Sequence, residues 1–329
     1  MTYRFQFRPY RRRFLRSLTT NHGKWDIREG IILRLTDESG KLGWGEIAPI
    51  SWFGSETLEQ ALDFCRQLPE EITDEIIFSI PDKLPACQFG FESAWEQGSK
   101  GAEEKNLNLS SALSFSYSGL LPSGEAALNQ WETLWQQGYR TFKWKIGVDA
   151  IADELKIFES LIHTLPAFTK LRLDANGGLT YEEANLWLRT CDNLKVNGTV
   201  SIEIEFIEQP LPVEQFQGML ELSRSYETAI ALDESVATLG QLATCYQQGW
   251  RGIFVIKPGI AGSPSHLRKF CHQHQIDTVF SSVFETAIAR LAALKLAAEL
   301  SRNNRAIGFG IDHFFEQEET WFQTLWNDL

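Results

Sequence analysis

The chain of 329 residues contains no apolar run approaching the roughly 20 residues that cross a bilayer. Its N-terminus lacks the apolar core of a signal peptide, and the opening YRFQF alternates as a strand does, unlike an amphipathic leader helix. No membrane is expected as a partner, and the expected location is cytoplasmic. Cysteine is sparse. Cys65, Cys87, Cys191, Cys245 and Cys271 form neither a Cys-x-x-Cys pair nor zinc-like spacing, which leaves ordinary reduced thiols. Positive charge is in deficit, with 31 basic against 43 acidic residues and a net charge of −12. Such a surface repels nucleic acid, so none is expected as a partner, and it suits a monomer or a homodimer. The local basic cluster RPYRRRFLR is read as a solvated strand. GFGID, near the end, lacks the further glycines of a dinucleotide fingerprint.

What is present is a full complement of core residues, 43% hydrophobic, in two differently patterned parts. In the first hundred residues, RFQFRPYRRRF and GIILRLTDESGKLGWGEIAP suggest a small antiparallel sheet. SETLEQALDFCRQLP, with its Ser/Thr cap and proline stop, and QFGFESAWEQG suggest helices. The polar GSKGAEEKN makes a boundary near residue 105. Beyond it, short apolar runs alternate with helical stretches: SALSFSYSGLL, YRTFKWKIG, KLRLDANGG, IEIEFIEQPL, AIALDES, GIFVIKPG, TVFSSVFET and AIGFGID. Eight strands alternating with helices predict a parallel sheet closed into a barrel over residues 106–311. The aromatic-rich residues 312–329 are expected to pack back on the first domain, residues 1–105.

Barrel sites lie at the C-terminal strand ends. Those ends present Lys143 and Lys145, then Asp174 and Asn176, then Glu208, Asp233, Lys257 and Ser281. Any one of the carboxylates could equally cap the following helix or pair with a lysine. Three on consecutive strands, with no histidine or thiolate beside them, point to a hard cation, Mg²⁺ with Mn²⁺ as a substitute. In TFKWKIG the period of two puts Phe142, Trp144 and Ile146 on one face and the two lysines on the other. The apolar face belongs against the helices, so Lys143 and Lys145 face the interior, with Lys257 opposite. Burial and mutual repulsion favour a lysine able to act as a base. The residues alone therefore suggest metal-assisted removal of a proton next to a carboxylate in a small-molecule substrate.

At these positions the chain resembles the enolase superfamily, in its muconate-lactonizing subgroup. The resemblance rests on KWK, LDAN, IEQP, LDES and IKP at successive barrel strands and on GWGE, Gly43 to Glu46, before the barrel. It implies an α+β capping domain on a modified (β/α)7β barrel. It further implies Asp174, Glu208 and Asp233 as metal ligands and Lys145 and Lys257 as catalytic lysines. LRLDANGG, FVIKPGIAGSP and SSVFETAIAR are most similar to the o-succinylbenzoate synthase family. That family's reaction is the Mg²⁺-dependent syn-dehydration of 2-succinyl-6-hydroxy-2,4-cyclohexadiene-1-carboxylate, in menaquinone or phylloquinone biosynthesis. By this resemblance Lys145 takes the α-proton and then assists departure of the hydroxyl. Lys257 stays cationic over the ring, and Lys143 binds a carboxylate oxygen and holds Lys145 at a low pKa. The rival on the same site is an N-acylamino acid racemase or dipeptide epimerase, in which both lysines act as bases.

Further substrate contacts are expected from Gly262 and Ser263 at the succinyl end, and from Ser281 to a substrate carboxylate. Asn176 is placed with the substrate contacts. Arg172 shares a strand face with Asp174, and orienting a lysine or forming a structural ion pair are equal alternatives for it. TTNHGKW, which includes His22, and PISWFGSE look like loops closing over a barrel mouth; for Trp52 and Phe53, shielding a ring and packing at the domain interface are equal alternatives. Glu234 is expected behind the ligand Asp233.

Overall fold

The computed structural model describes residues 1–20, 23–99, 115–197, 201–311, 314–315 and 325–326. Near the N-terminus lie β1 (Thr2–Thr20), β2 (Gly23–Asp37), β3 (Leu42–Ile47) and β4 (Glu71–Thr73). They form an antiparallel sheet in the order β3-β2-β1-β4. The β1–β2 register runs from Tyr3↔Asp37 to Arg13↔Ile27 and then shifts, resuming at Leu18↔Trp25. An irregularity of this kind bends and twists a ribbon. The residues beyond it reach the barrel mouth.

The Leu58–Gln67 helix starts at a capping box, Thr57 with Gln60, as its sequence predicts. The Pro85–Ser99 helix is buried from Pro85 to Ala94, being packed between sheet and barrel. The glycines of GWGE make that packing feasible. A Cβ on Gly43 would lie 2.0 Å from the Ala94 carbonyl oxygen, and one on Gly45 would lie 2.0 Å from that of Gly90. Only bare backbone lets this helix approach β3 so closely.

The barrel strands are β5 (Ser118–Leu121), β6 (Thr141–Lys145), β7 (Lys170–Asp174), β8 (Glu203–Glu208), β9 (Ile230–Leu232), β10 (Ile253–Ile256) and β11 (Asp277–Phe280). They are parallel neighbours in chain order. Each is followed by a helix, from Ala127–Gln136 after β5 to Ala287–Leu300 after β11. The eighth strand is reduced to two parallel bridges, Tyr117↔Ile307 and Ser281↔Gly308, which join the sheet's two edges. This is the (β/α)7β pattern with a minimal last strand.

Phe142, Trp144 and Ile146 are fully buried on the outer side, where Trp144 meets Trp187 at 6.2 Å between ring centroids. Each such side chain contributes about 1.5–3 kcal/mol relative to exposure. Phe206, Ala231, Ile253, Val255 and Val279 form a separate apolar cluster from strands β8 to β11. Near it, the buried Glu205 takes Arg172 Nε at 2.6 Å and Arg305 Nη1 at 2.7 Å. Arg305 in turn grips Asp277 through Nε at 2.9 Å and Nη2 at 2.7 Å.

Near the C-terminus, the Phe315 ring lies 4.7 Å from that of Phe14, and Trp326 lies 4.9 Å from Trp44 with Arg34 over its face at 4.7 Å. These residues rest on the N-terminal sheet. The boundary expected near residue 105 lies outside the described residues. Among those described, no helix is long and apolar enough to cross a membrane.

Candidate active site

At the C-terminal ends of the barrel strands, under the β1–β2 ribbon, lies a cavity of about 330 Å³. Lys143 and Lys145 enter it from β6 because Phe142 and Trp144 take the outer face. Asp174 ends β7, Glu208 ends β8, Asp233 follows β9 and Lys257 follows β10, and all four line the same cavity. The three carboxylates and three lysines read from the sequence are thus brought together.

Lys143 Nζ lies 2.7 Å from both Asp174 Oδ2 and Glu208 Oε1, bridging them. The resemblance gave this lysine a carboxylate oxygen of the substrate; here it holds two of the chain's own carboxylates. Burial works against its charge, but Asp174, Glu208 and Asp233 outweigh burial and hold the ammonium well above the ordinary lysine value. Lys257 pairs with Asp233 and stands 4.0 Å over the ring of Phe53. Lys145 lies beside Asp174 in register and holds no salt bridge among the described residues.

Burial raises the pKa of Asp174, of Glu208 and of Asp233. A neighbouring carboxylate adds to each: Glu208 for Asp174, Asp233 for Glu208, and Glu234 for Asp233. Among the described residues no three such groups are already gathered as a metal-binding set. The donors nevertheless fit a hard divalent cation. They are buried, acidic and mutually repelling, and two of them already face a single positive charge, that of Lys143.

Asn176 donates from Nδ2 to Glu234 Oε1 at 3.0 Å, and Glu234 lines the cavity beside the three carboxylates. Ser281 and Trp52 line the cavity. Trp52 stands edge-on to Trp25 at 4.9 Å. Arg172 also lines the cavity, but its guanidinium is committed to Glu205, the ion-pair alternative. His22 lies outside the described residues.

Gly262 and Ser263, expected at the succinyl end, lie outside the lining of this cavity. Ser263 is buried and caps the Pro264–His274 helix by accepting from His266 N, while its own N–H donates to Gln88 Oε1 at 3.1 Å. A Cβ on Gly262 would also meet Gln88 Oε1, at 3.0 Å. These two residues dock the barrel onto the Pro85–Ser99 helix. Sequence reasoning missed Gln209, Trp25 and Phe284. The IEQP motif contained Gln209 and the loop-like TTNHGKW contained Trp25, but neither stretch singled out the residue, and nothing local signalled Phe284.

The match to known families covers both parts. Residues 126–325 match the model described as enolase C-terminal domain-like, and residues 9–97 match that of the MenC N-terminal domain. The o-succinylbenzoate synthase of Thermosynechococcus vestitus is 43% identical, over 99% of this chain and 99% of that one. The crystal structure of o-succinylbenzoate synthase from Thermosynechococcus elongatus, complexed with Mg in the active site, superimposes with a TM-score of 0.88. It has 40% identity and covers 99% of this chain and 100% of that one. The Bacillus subtilis L-Ala-D/L-Glu epimerase structure, 22% identical with a TM-score of 0.77 over 95% of this chain and 91% of that one, shares the fold. The chain belongs to the o-succinylbenzoate synthase family of the enolase superfamily.

Proposed function

We propose that the chain is an o-succinylbenzoate synthase, a hydro-lyase. It removes water from 2-succinyl-6-hydroxy-2,4-cyclohexadiene-1-carboxylate to give o-succinylbenzoate, within menaquinone or phylloquinone biosynthesis. The observation that carries this reading is the pairing of an uncommitted lysine, Lys145, with a cluster of three buried carboxylates on consecutive strands. It stands in a chain 43% identical to a synthase over nearly its whole length.

Asp174, Glu208 and Asp233 would hold Mg²⁺, with Mn²⁺ as a substitute. The ion supplies positive charge to the substrate carboxylate as negative charge grows on it. Lys145 Nζ takes the proton from the ring carbon bearing that carboxylate. The electron pair moves into the ring, and the carbon–oxygen bond on the neighbouring carbon breaks. Lys145, now protonated and on the same face, returns its proton to the departing hydroxide, so water leaves and the ring becomes aromatic. Lys257, held by Asp233 and the Phe53 ring, stabilises charge over the opposite face. Asn176 orients Glu234, Ser281 offers a hydrogen bond to a substrate carboxylate, and Trp52 with Trp25 keeps water from the ring.

A racemase or epimerase would use Lys145 and Lys257 both as bases on this site; the 43% identity to a synthase over 99% of both chains favours the synthase. The small-molecule partner is thus a carboxylate, taken up by a monomer or homodimer in the cytoplasm. The matched models at 9–97 and 126–325 support a division into a capping domain, 1–105 with 312–329 against it, and a barrel, 106–311.

Turnover of the cyclohexadiene carboxylate, followed by ultraviolet absorbance with Mg²⁺ and with EDTA, tests the assignment. EDTA-sensitive turnover is expected. No turnover by metal-loaded enzyme, together with exchange of the α-hydrogen of acylated amino acids into solvent, would transfer the site to the racemase class.

A further inference from the structure

Phe284 lies in the turn between β11 and the Ala287–Leu300 helix, and it lines the cavity. Its φ is +60°, in the left-handed region that a bulky side chain rarely adopts. Backbone held in this way persists only where its surroundings over-determine it, and such positions cluster at ligand clamps.

The surroundings here are specific. The Phe284 N–H donates to Ser282 Oγ at 2.9 Å. Ser282 Oγ donates to Glu285 Oε2 at 2.8 Å, and Val283 N donates to the same carboxylate oxygen at 2.6 Å. Ser282 and Glu285 are both buried. From the N-terminal sheet, Arg28 Nε donates to the Val283 carbonyl at 2.9 Å, and the fully buried Glu46 accepts the Thr286 N–H at 3.0 Å. The turn is thus clamped on both sides of Phe284 by residues some 240 to 255 positions away. The ring itself is held edge-on by Phe14, Trp25 and Phe314, with centroids 5.5 Å away in each case. Four parts of the chain converge on one strained aromatic, and that aromatic lines the cavity that the lysines also line.

A leucine could fill an apolar roof, and a glycine could make this turn without strain. A phenylalanine fixed so firmly has a further use. We infer that Phe284 is a substrate-positioning residue. Its ring forms an aromatic wall on which the substrate's flat six-membered ring is seated, and Arg28 and Glu46 set the place of that wall. This rests on the proposed synthase reaction, whose substrate ring is planarising as it aromatises and whose α-proton must face Lys145. Contact with an aromatic edge or face favours such a ring over an extended acyl chain. The wall acts on binding and orientation and takes no part in proton transfer.

The test compares wild type with Phe284→Leu, Phe284→Gly and Phe284→Tyr. It measures kcat and KM for the dehydration, o-succinylbenzoate affinity by quenching of tryptophan fluorescence, and the thermal midpoint. Phe284→Leu and Phe284→Gly are each expected to weaken KM and product affinity about tenfold while kcat falls much less. Phe284→Tyr, which keeps the ring and its three aromatic neighbours, should retain both affinity and a midpoint near that of wild type. Wild-type turnover with product affinity unchanged in both Phe284→Leu and Phe284→Gly overturns the inference and leaves the synthase reading intact. So does an affinity loss that tracks the thermal midpoint and is not spared in Phe284→Tyr, which makes the ring a filler only. Absence of wild-type turnover removes the reading and the inference together.

Discussion

The side-chain carbonyl of Gln209 accepts the backbone N–H of Asp233 at 3.1 Å and that of Ser235 at 3.2 Å. Gln209 is fully buried and has a φ of +40°; its Nε2 donates onward to the Leu211 carbonyl at 3.0 Å and to Ser235 Oγ at 2.8 Å. One amide thereby ties the end of β8, with Glu208, to the turn carrying Asp233. Gln209→Leu would leave two N–H groups without their acceptor, a loss of about 1–3 kcal/mol in stability. It should also weaken Mg²⁺ affinity by about 10–100-fold. Titrating activity with Mg²⁺ checks this, and an unchanged half-saturation would refute the link.

The buried acidic cluster should make stability depend on metal. Because Asp174, Glu208 and Asp233 are each raised by burial and by a neighbouring carboxylate, a divalent cation favours the fold. Mg²⁺ at a hundred times its dissociation constant should add about 2.7 kcal/mol, lost again in EDTA. Asp233→Asn should lose most of that gain. A thermal midpoint indifferent to saturating Mg²⁺ would show that no ion binds there.

Lys145 is the cavity lysine without a salt bridge among the described residues. Lys145→Ala should lower kcat by about 10²–10⁴-fold while leaving the Mg²⁺-induced rise in thermal midpoint in place. If activity survives, the base is another group.

The Glu205 network predicts the response to acid. Burial would raise this carboxyl, but Arg172 and then Arg305 outweigh burial and hold it below its usual 4.5. A carboxylate lowered in the fold stabilises it above the unfolded pKa, and that stability is lost as pH falls through the folded value. Asp277, lowered chiefly by Arg305 against its burial, acts in the same sense. The raised site carboxylates oppose this, so the informative comparison is with Glu205→Gln. That variant leaves Arg172 buried beside a neutral partner. It should be less stable at neutral pH by about 3–5 kcal/mol, with a shallower loss below pH 4.5. Urea midpoints between pH 3 and 7 measure both, and parallel curves would contradict the argument.

Much of the barrel was legible because its signals are local. The alternation of TFKWK decides within five residues which side chains face inward, and the carboxylates announce themselves at strand ends. β4 and the Asp74–Phe78 helix were passed over, since three and five residues carry too little periodicity. The contact of Gly262 and Ser263 with Gln88 was not legible because that residue is about 175 positions away. The two alternatives for Arg172 are separated only by Glu205, one strand over, which the sequence does not pair with it. Phe284 lies in SSVFETAIAR, which carries a resemblance, but its own role shows only when Arg28, Glu46 and Trp25 arrive from the N-terminal sheet.

The minimal eighth strand also has a consequence in time. Ser118 N–H meets the Ile307 carbonyl at 3.0 Å, and the Gly308 N–H meets that of Phe280 at 2.8 Å. The first of these joins residues 189 positions apart. On a ribosome, the first barrel strand must wait for almost all the remaining chain before its outer edge is covered. Contacts of such range are costly to close and slow a fold. The cavity, whose lining includes residues on both sides of that seam, is therefore among the last things this protein makes.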